Sequence, residues 1–288
     1  MREQLLQSIE KDGVLPPFPG IINQLREMIE DPNTGMDDVA RVIQSDPILA
    51  GRLLQLANSV FGAGQAFYAN NISRALGRLG LKMAMDLTYS LKLPTMFPTH
   101  VGFDYQSFWK FSLGLAVASS KLAELRGMDK DELSHAYLGG LMRNTGVLLL
   151  VHLQTERYLQ LLKEFRTDIK NLQEMHRILK KAAVLEQLEQ ECFGIHNAEF
   201  ATIFINKWWK MPTKVVEYVQ NRPRILQNKS ENIVEIARYL LWHLKVDDGI
   251  TSVQVQFPAN YFEQNFGIAP AFIEQLHIDL QAAFKIMR

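Results

Sequence analysis

The stretch Gly139-Gly140-Leu141-Met142-Arg143-Asn144-Thr145-Gly146 limits the fold more than any other part of this sequence. Apolar segments with helical patterning flank it on both sides, which places it inside a packed helical assembly. Two adjacent glycines remove side-chain bulk and let a neighbouring backbone approach closely. Gly146 reads as the residue that closes the helix in a left-handed conformation. Between these glycines stand Arg143 and Asn144, two polar side chains on a segment otherwise fit for burial. Buried polar groups need partners, so the pair marks a metal site, a catalytic site or the remains of one.

The same helical period runs through the rest of the chain. Over residues 104–126, Phe108, Phe111, Leu115, Ala118, Leu122 and Leu125 alternate spacings of three and four, and Gly127 closes the helix. Asp129 or Lys130 opens the next helix. Its stripe Leu133, Tyr137, Leu141 continues to Asn144, with Ala136, Gly140 and Arg143 alongside. Shorter helices are predicted over 2–11, 21–30, 36–44, 47–59 and 73–79, and then to about Leu93. Further helices fall at 158–167, 172–179, 184–192, 197–210, 213–220, 231–245 and 270–286. Only residues 253–257 suggest an extended segment. The reading is all-α, a multi-helix bundle. Pro94 and Pro98 end the N-terminal part, which gives two subdomains, 1–98 and 99–288.

Composition excludes several function classes. Hydrophobic residues make up 47% of the chain, enough for a substantial core, and 31 basic residues balance 31 acidic ones. A zero net charge speaks against binding dominated by nucleic-acid phosphates. The single cysteine, Cys192, allows neither an intrachain disulfide nor a thiolate metal cluster. With Glu189 and Glu191 beside it, Cys192 has the setting of a structural cysteine rather than a nucleophile. The first residues lack a signal-type apolar run, and no window reaches the roughly 18 apolar residues of a membrane span. A cytoplasmic location away from the membrane is the expectation.

Several short motifs carry more specific information. The strap Leu15-Pro16-Pro17-Phe18-Pro19 cannot lie inside a helix. In Ser45-Asp46-Pro47, Asp46 suits a helix N-cap and Pro47 the first helical position. Leu53-Leu54-Gln55-Leu56-Ala57-Asn58-Ser59 ends in Asn58, read as a hydrogen-bonder that fixes a helix end. Ile72-Ser73-Arg74-Ala75-Leu76 leads to Leu79-Gly80, a helix stop. These motifs, in this order, resemble the HDOD domain, a bacterial signalling domain related to the HD metal-dependent phosphohydrolases. The resemblance covers roughly residues 15–244 and implies an HD-like helical core in the second subdomain, preceded by an N-terminal helical one.

The resemblance also implies where metal ligands would fall. HD hydrolases use a His from one helix, a His-Asp pair from the next and a later Asp, because imidazoles and carboxylates hold the cation that activates water. The first His falls at Phe111, and the His-Asp pair at Arg143-Asn144. A later His matches His196, a His-His pair found in many HDOD proteins falls at Gln220-Asn221, and the final Asp falls near Arg238. Only His196 keeps a ligand-competent side chain. Arg143 offers donors alone and cannot bind a cation. The expectation is a pseudoenzyme without metal or cofactor, acting as a signal-transduction output or adaptor on a protein partner. Arg143 then reads as a structural cation paired with a carboxylate, with Glu199 as the candidate. Two alternatives stand beside this: a metal-dependent phosphohydrolase, and a sensor of an anion or nucleotide in a relic pocket lined by Arg143, Asn144, His196, Gln220 and Asn221.

Overall fold

The computed structural model describes residues 1–10, 19–61, 68–170, 177, 180, 184–220, 232–253 and 255–287, and no β-strand occurs among them. The helices are α1 (Arg2–Glu10), α2 (Gly20–Glu30), α3 (Met36–Gln44), α4 (Pro47–Phe61), α5 (Ile72–Leu79) and α6 (Leu81–Lys92), followed by α7 (Tyr105–Leu125), α8 (Lys130–Met142), α9 (Thr145–Leu153) and α10 (Thr155–Lys170). Then come α11 (Val184–Phe193), α12 (Asn197–Lys207), α13 (Thr213–Gln220), α14 (Ile233–His243), α15 (Tyr261–Phe266) and α16 (Pro270–Phe284). The fold is all-α, as the periodicity predicts. Most of the Leu15–Pro19 strap, the 172–179 helix and Asn221 lie outside the described residues.

Packing divides the chain into two units, and the division is not the contiguous 1–98 and 99–288 expected from the prolines. One unit comprises Met1–Val14 and Pro98–His277, the other Leu15–Phe97 and Ile278–Arg288. Helix α1 belongs with the larger unit because Leu5 and Ile9 are buried and both ends are tied to α12. Arg2 pairs with Glu199 at 2.6 Å, and Lys207 contacts Glu10. In the smaller unit, the 3-10 turn Lys285–Met287 packs on α4, which draws in the chain's last residues. The prolines mark a break near Pro98, but nothing in the sequence marks these long-range attachments.

In the larger unit, α7 lies along α8 and also packs on α14, while α13 packs on α8 and α12 on α9. Local chemistry sets the ends of the central pair. Asp104 caps α7 by accepting from Ser107 N at 3.0 Å. Gly127, at φ +70°, closes α7 through Met128 N to Ala123 O and Gly127 N to Glu124 O. Asp129 and Glu132 form a reciprocal capping box at the start of α8.

The two glycines of α8 act through their missing side chains. A Cβ on Gly140 would stand 2.5 Å from Leu115 O, and one on Gly139 would stand 2.6 Å from Tyr218 Cβ. Gly146 departs from expectation, because it does not terminate a helix. Helix α8 ends at Met142, Arg143 and Asn144 form the corner, and Gly146 lies inside α9. Its role is close approach: a Cβ there would fall 1.9 Å from Asn197 O at the start of α12. The helix expected over 197–210 stops at Lys207, and Lys210, two residues before Pro212, takes a left-handed φ of 47°. The segment suggested as extended, 253–257, forms no strand among its described residues.

Candidate functional site

The corner between α8 and α9 places Arg143 and Asn144 in the interior, where each is 4% exposed. Thr145 fixes the corner by donating its hydroxyl to Met142 O at 2.8 Å. Helix α14 faces this corner. It is an apolar helix interrupted by one acidic residue, Glu235, which is 1% exposed.

Glu235 stands between two guanidinium groups. Its Oε1 accepts from Arg143 Nε at 2.7 Å, and its Oε2 lies 2.5 Å from Arg238 Nη2. The second interaction is a charge contact rather than an aligned hydrogen bond. Arg143 also donates through Nη1 to Asn144 Oδ1 at 2.9 Å. Arg238, one turn after Glu235, lays its guanidinium over Trp242 at 4.6 Å from the ring centroid. Buried charges are tolerated when paired in this way, and removing one partner leaves the other uncompensated.

These side chains border a cavity of about 40 Å³ lined by Phe111, Arg143, Asn144, Asn197, Arg238 and Trp242, with Glu186 and Asp248 also on its wall. Asp248 is committed to its own loop: Oδ1 accepts from the backbone N–H of Ile250, Thr251 and Ser252, and Oδ2 from the Thr251 hydroxyl. Two donors on the wall, Trp242 Nε1 and Arg238 Nε, have no hydrogen-bond acceptor among the described residues. Phe111, Arg143, Asn144 and Arg238, far apart in sequence, thus meet at one place.

Of the other predicted positions, His196 and Gln220 do not join them, and Asn221 lies outside the described residues. His196 is half-buried and serves as the N-cap of α12, its Nδ1 accepting from Glu199 N at 3.3 Å. Gln220, the last residue of α13, is exposed and lines no part of the cavity. Glu199 is not the carboxylate that answers Arg143; it pairs with Arg2. The true partner, Glu235, lies 92 residues from Arg143. The smaller-unit motif residues are local supports. Asp46 Oδ1 accepts from Leu49 N at 3.0 Å, its Oδ2 takes Lys92 Nζ at 2.6 Å, and Pro47 opens α4. Asn58 pairs both ways with the Ala69 backbone at 2.9 Å, and Gly80 joins α5 to α6 at φ +81°.

A second buried polar cluster escaped sequence reasoning. Glu189, fully buried on α11, accepts from the Tyr158 hydroxyl at 2.6 Å and from Asn197 N and Nδ2 at 2.7 and 2.6 Å. It ties α11, α10 and the start of α12 together. Burial pushes its carboxyl up to about 7 despite these three donors.

The donor set does not fit an HD-type metal. A phenyl ring, two guanidiniums and an amide already engaged with Arg143 stand where imidazoles and carboxylates would be needed, and fixed positive charges repel a divalent cation. No group of three or more His, Cys, Asp or Glu side chains able to hold a metal occurs among the described residues. No described helix is long and apolar enough to cross a membrane.

Comparison with known proteins agrees with this architecture. A structure from Shewanella amazonensis SB2B, provisionally named a phosphohydrolase, superimposes with a TM-score of 0.66 at 22% identity, covering 99% of this chain and 98% of that one. An HDOD domain protein of unknown function from Geobacter sulfurreducens gives a TM-score of 0.63 at 19% identity, over 95% of this chain and 88% of its own. At these identities the likeness is one of fold. An uncharacterized protein of Treponema pallidum (strain Nichols) is 26% identical over 155 residues, which are 51% of this chain and only 28% of that protein's length. The family model of the HDOD domain matches residues 15–224. With most of its length matched, this chain belongs to the HDOD domain family.

Proposed function

We propose that this protein is a non-catalytic signal-transduction module, an output or adaptor of the cytoplasm that acts through contacts with a partner protein. The observation that carries the reading is Glu235 held between Arg143 and Arg238, beside Phe111, at the place where HD relatives assemble a cation. Catalysis of the HD type needs a Lewis acid and a water-derived nucleophile. Here the positive charge is supplied by guanidiniums, which offer only N–H donors and cannot bind water as a Lewis acid does. The matched domain supports a signalling role.

Cavity size and charge weigh against the sensor reading. About 40 Å³ accommodates a water-sized group rather than a nucleotide. Two guanidiniums meet three carboxyl groups, those of Glu186, Glu235 and Asp248, so the surroundings do not favour an added anion.

The test is direct. Purified protein is incubated with phosphomonoesters, cyclic nucleotides and cyclic dinucleotides in the presence of Mg²⁺, Mn²⁺, Fe²⁺ or Ni²⁺. No turnover above the blank is expected. Metal-stimulated hydrolysis that disappears in His196→Ala would overturn the proposal.

A further inference from the structure

Both ends of α1 are tied to α12. Arg2 donates through Nη2 and Nε to Glu199 Oε1 at 2.6 and 3.0 Å, and Lys207 contacts Glu10 at the far end. The two pairs lie eight residues apart on each helix, 2 to 10 and 199 to 207, so the helices run side by side in the same direction. Ile203 falls midway on the α12 stripe. Leu5 and Ile9 are the buried side chains of α1. Its first turn lies against Gly194, the φ +72° residue ahead of α12, where a Cβ would stand 3.5 Å from Arg2 N. This hold is light. The paired side chains stay partly in water, which makes such pairs weak. A helix of nine residues is not stable alone in water, so two apolar anchors must also order it. Helix α12 lies within the matched residues 15–224, and α1 lies ahead of them.

We propose that α1 is a displaceable placeholder, and that the α12 face beneath it is where the partner protein docks an amphipathic helix parallel to α12. The proposal rests on the adaptor reading and gives it a surface. The face specifies its occupant. Glu199 calls for a base in the first turn of the incoming helix, and Lys207 for an acid eight residues later. Between them the helix needs two apolar residues four apart, the pattern of Leu5 and Ile9. Because α1 is part of the same chain, it competes at high effective concentration. Only a helix with more apolar anchors, or one held by further contacts, displaces it, so α1 sets a threshold for partner binding.

Two measurements on the full chain test this. The first is hydrogen exchange of the wild type, in which the α1 amides from Leu6 to Glu10 should exchange at least about 100-fold faster than Phe204 and Ile205 of α12. Equal rates would show that α1 opens only with the whole unit, and would overturn the proposal. The second is an NMR titration with a synthetic peptide of residues 1–12. In full-length Leu5→Asp/Ile9→Asp, whose own α1 cannot dock, the peptide should shift the α12 amides from Glu199 to Lys207 saturably, and at least about ten-fold more tightly than in wild type. A peptide carrying the same two substitutions should not bind. No shifts on α12, or equal binding to wild type, would overturn the proposal. Should the variant fold poorly by circular dichroism, the exchange rates of the wild type decide alone. Dimerisation of the wild type that is lost in Leu5→Asp/Ile9→Asp would assign the face to a second copy's α1 and overturn the assignment to a partner helix. Failure here leaves the turnover assay untouched, whereas metal-stimulated hydrolysis would overturn the adaptor reading whatever α1 does.

Discussion

Carboxylates hold both units together, but at very different depths. In the smaller unit, Asp46 caps α4 and pairs with Lys92 while its side chain stays 32% exposed. In the larger unit, Glu235 does comparable pairing with Arg143 and Arg238 at 1% exposure, and Glu189 collects three donors with no exposure. Water screens the first arrangement and is excluded from the other two. Similar contacts therefore carry unequal stakes, because a buried charge that loses its partner cannot turn to solvent.

The largest expected effect is at Arg143. Arg143→Met keeps most of the aliphatic volume but leaves Glu235 with Arg238 alone. Chemical denaturation should show a loss of about 3–5 kcal/mol, nearer the lower end because Arg238 remains. A variant as stable as wild type would mean that the interior pairing is no more consequential than a surface one.

Next comes a backbone contrast. Gly146→Ala forces a Cβ into Asn197 O and should cost about 3 kcal/mol or more, since neither backbone can yield cheaply. Gly77→Ala, on the open side of α5 with nothing within 4 Å, should instead stabilise by about 0.5–1 kcal/mol. Equal melting shifts for the two would remove the distinction between a glycine kept for close approach and one that is merely permitted.

The third prediction sets two pH dependences against each other. Glu189 has its folded value raised, to about 7, above the ordinary 4.5. Its contribution is therefore fully present below about 4.5 and is lost as pH rises through about 7. Asp46 has its value lowered, chiefly by the Lys92 hydrogen bond, so its contribution is present above 3.8 and is lost as pH falls below that. Melting curves from pH 5 to 8 should fall more steeply for wild type than for Glu189→Gln, while Asp46→Asn should flatten only the acid limb. A further modest effect is expected for Asp46→Ala at neutral pH, about 1 kcal/mol for a lost helix cap, and unchanged melting would remove the capping role.

Much of the fold was legible because helical burial writes a period of three and four into the chain, as on α7. Helix ends were legible where capping chemistry is local, as at Asp129 and Gly127. Gly146 was misread because a glycine at a helix end and a glycine at a helix crossing look alike until the crossing partner, Asn197, is known. The ligand positions could be carried over to Phe111, Arg143, Asn144 and Arg238, which meet at one cavity, but the carboxylate that balances Arg143 could not. Glu199 lies near His196 in sequence, whereas Glu235 is brought in by the packing of α14. Its one readable signal was an acidic residue within the apolar run Ile233, Val234, Ile236, Ala237. Glu189 gave no signal, since α11 carries several acidic residues and nothing in the sequence marks the one that is fully buried.

A double-mutant cycle between Arg143→Met and Glu235→Gln tests most directly whether an ion network now holds this interior together. If Glu235 is what makes Arg143 necessary, Arg143→Met should cost clearly less in the Glu235→Gln background than in wild type, with a coupling of about 1–3 kcal/mol. Costs that add to within about 0.5 kcal/mol would show that the two side chains do not depend on each other, and would contradict the account.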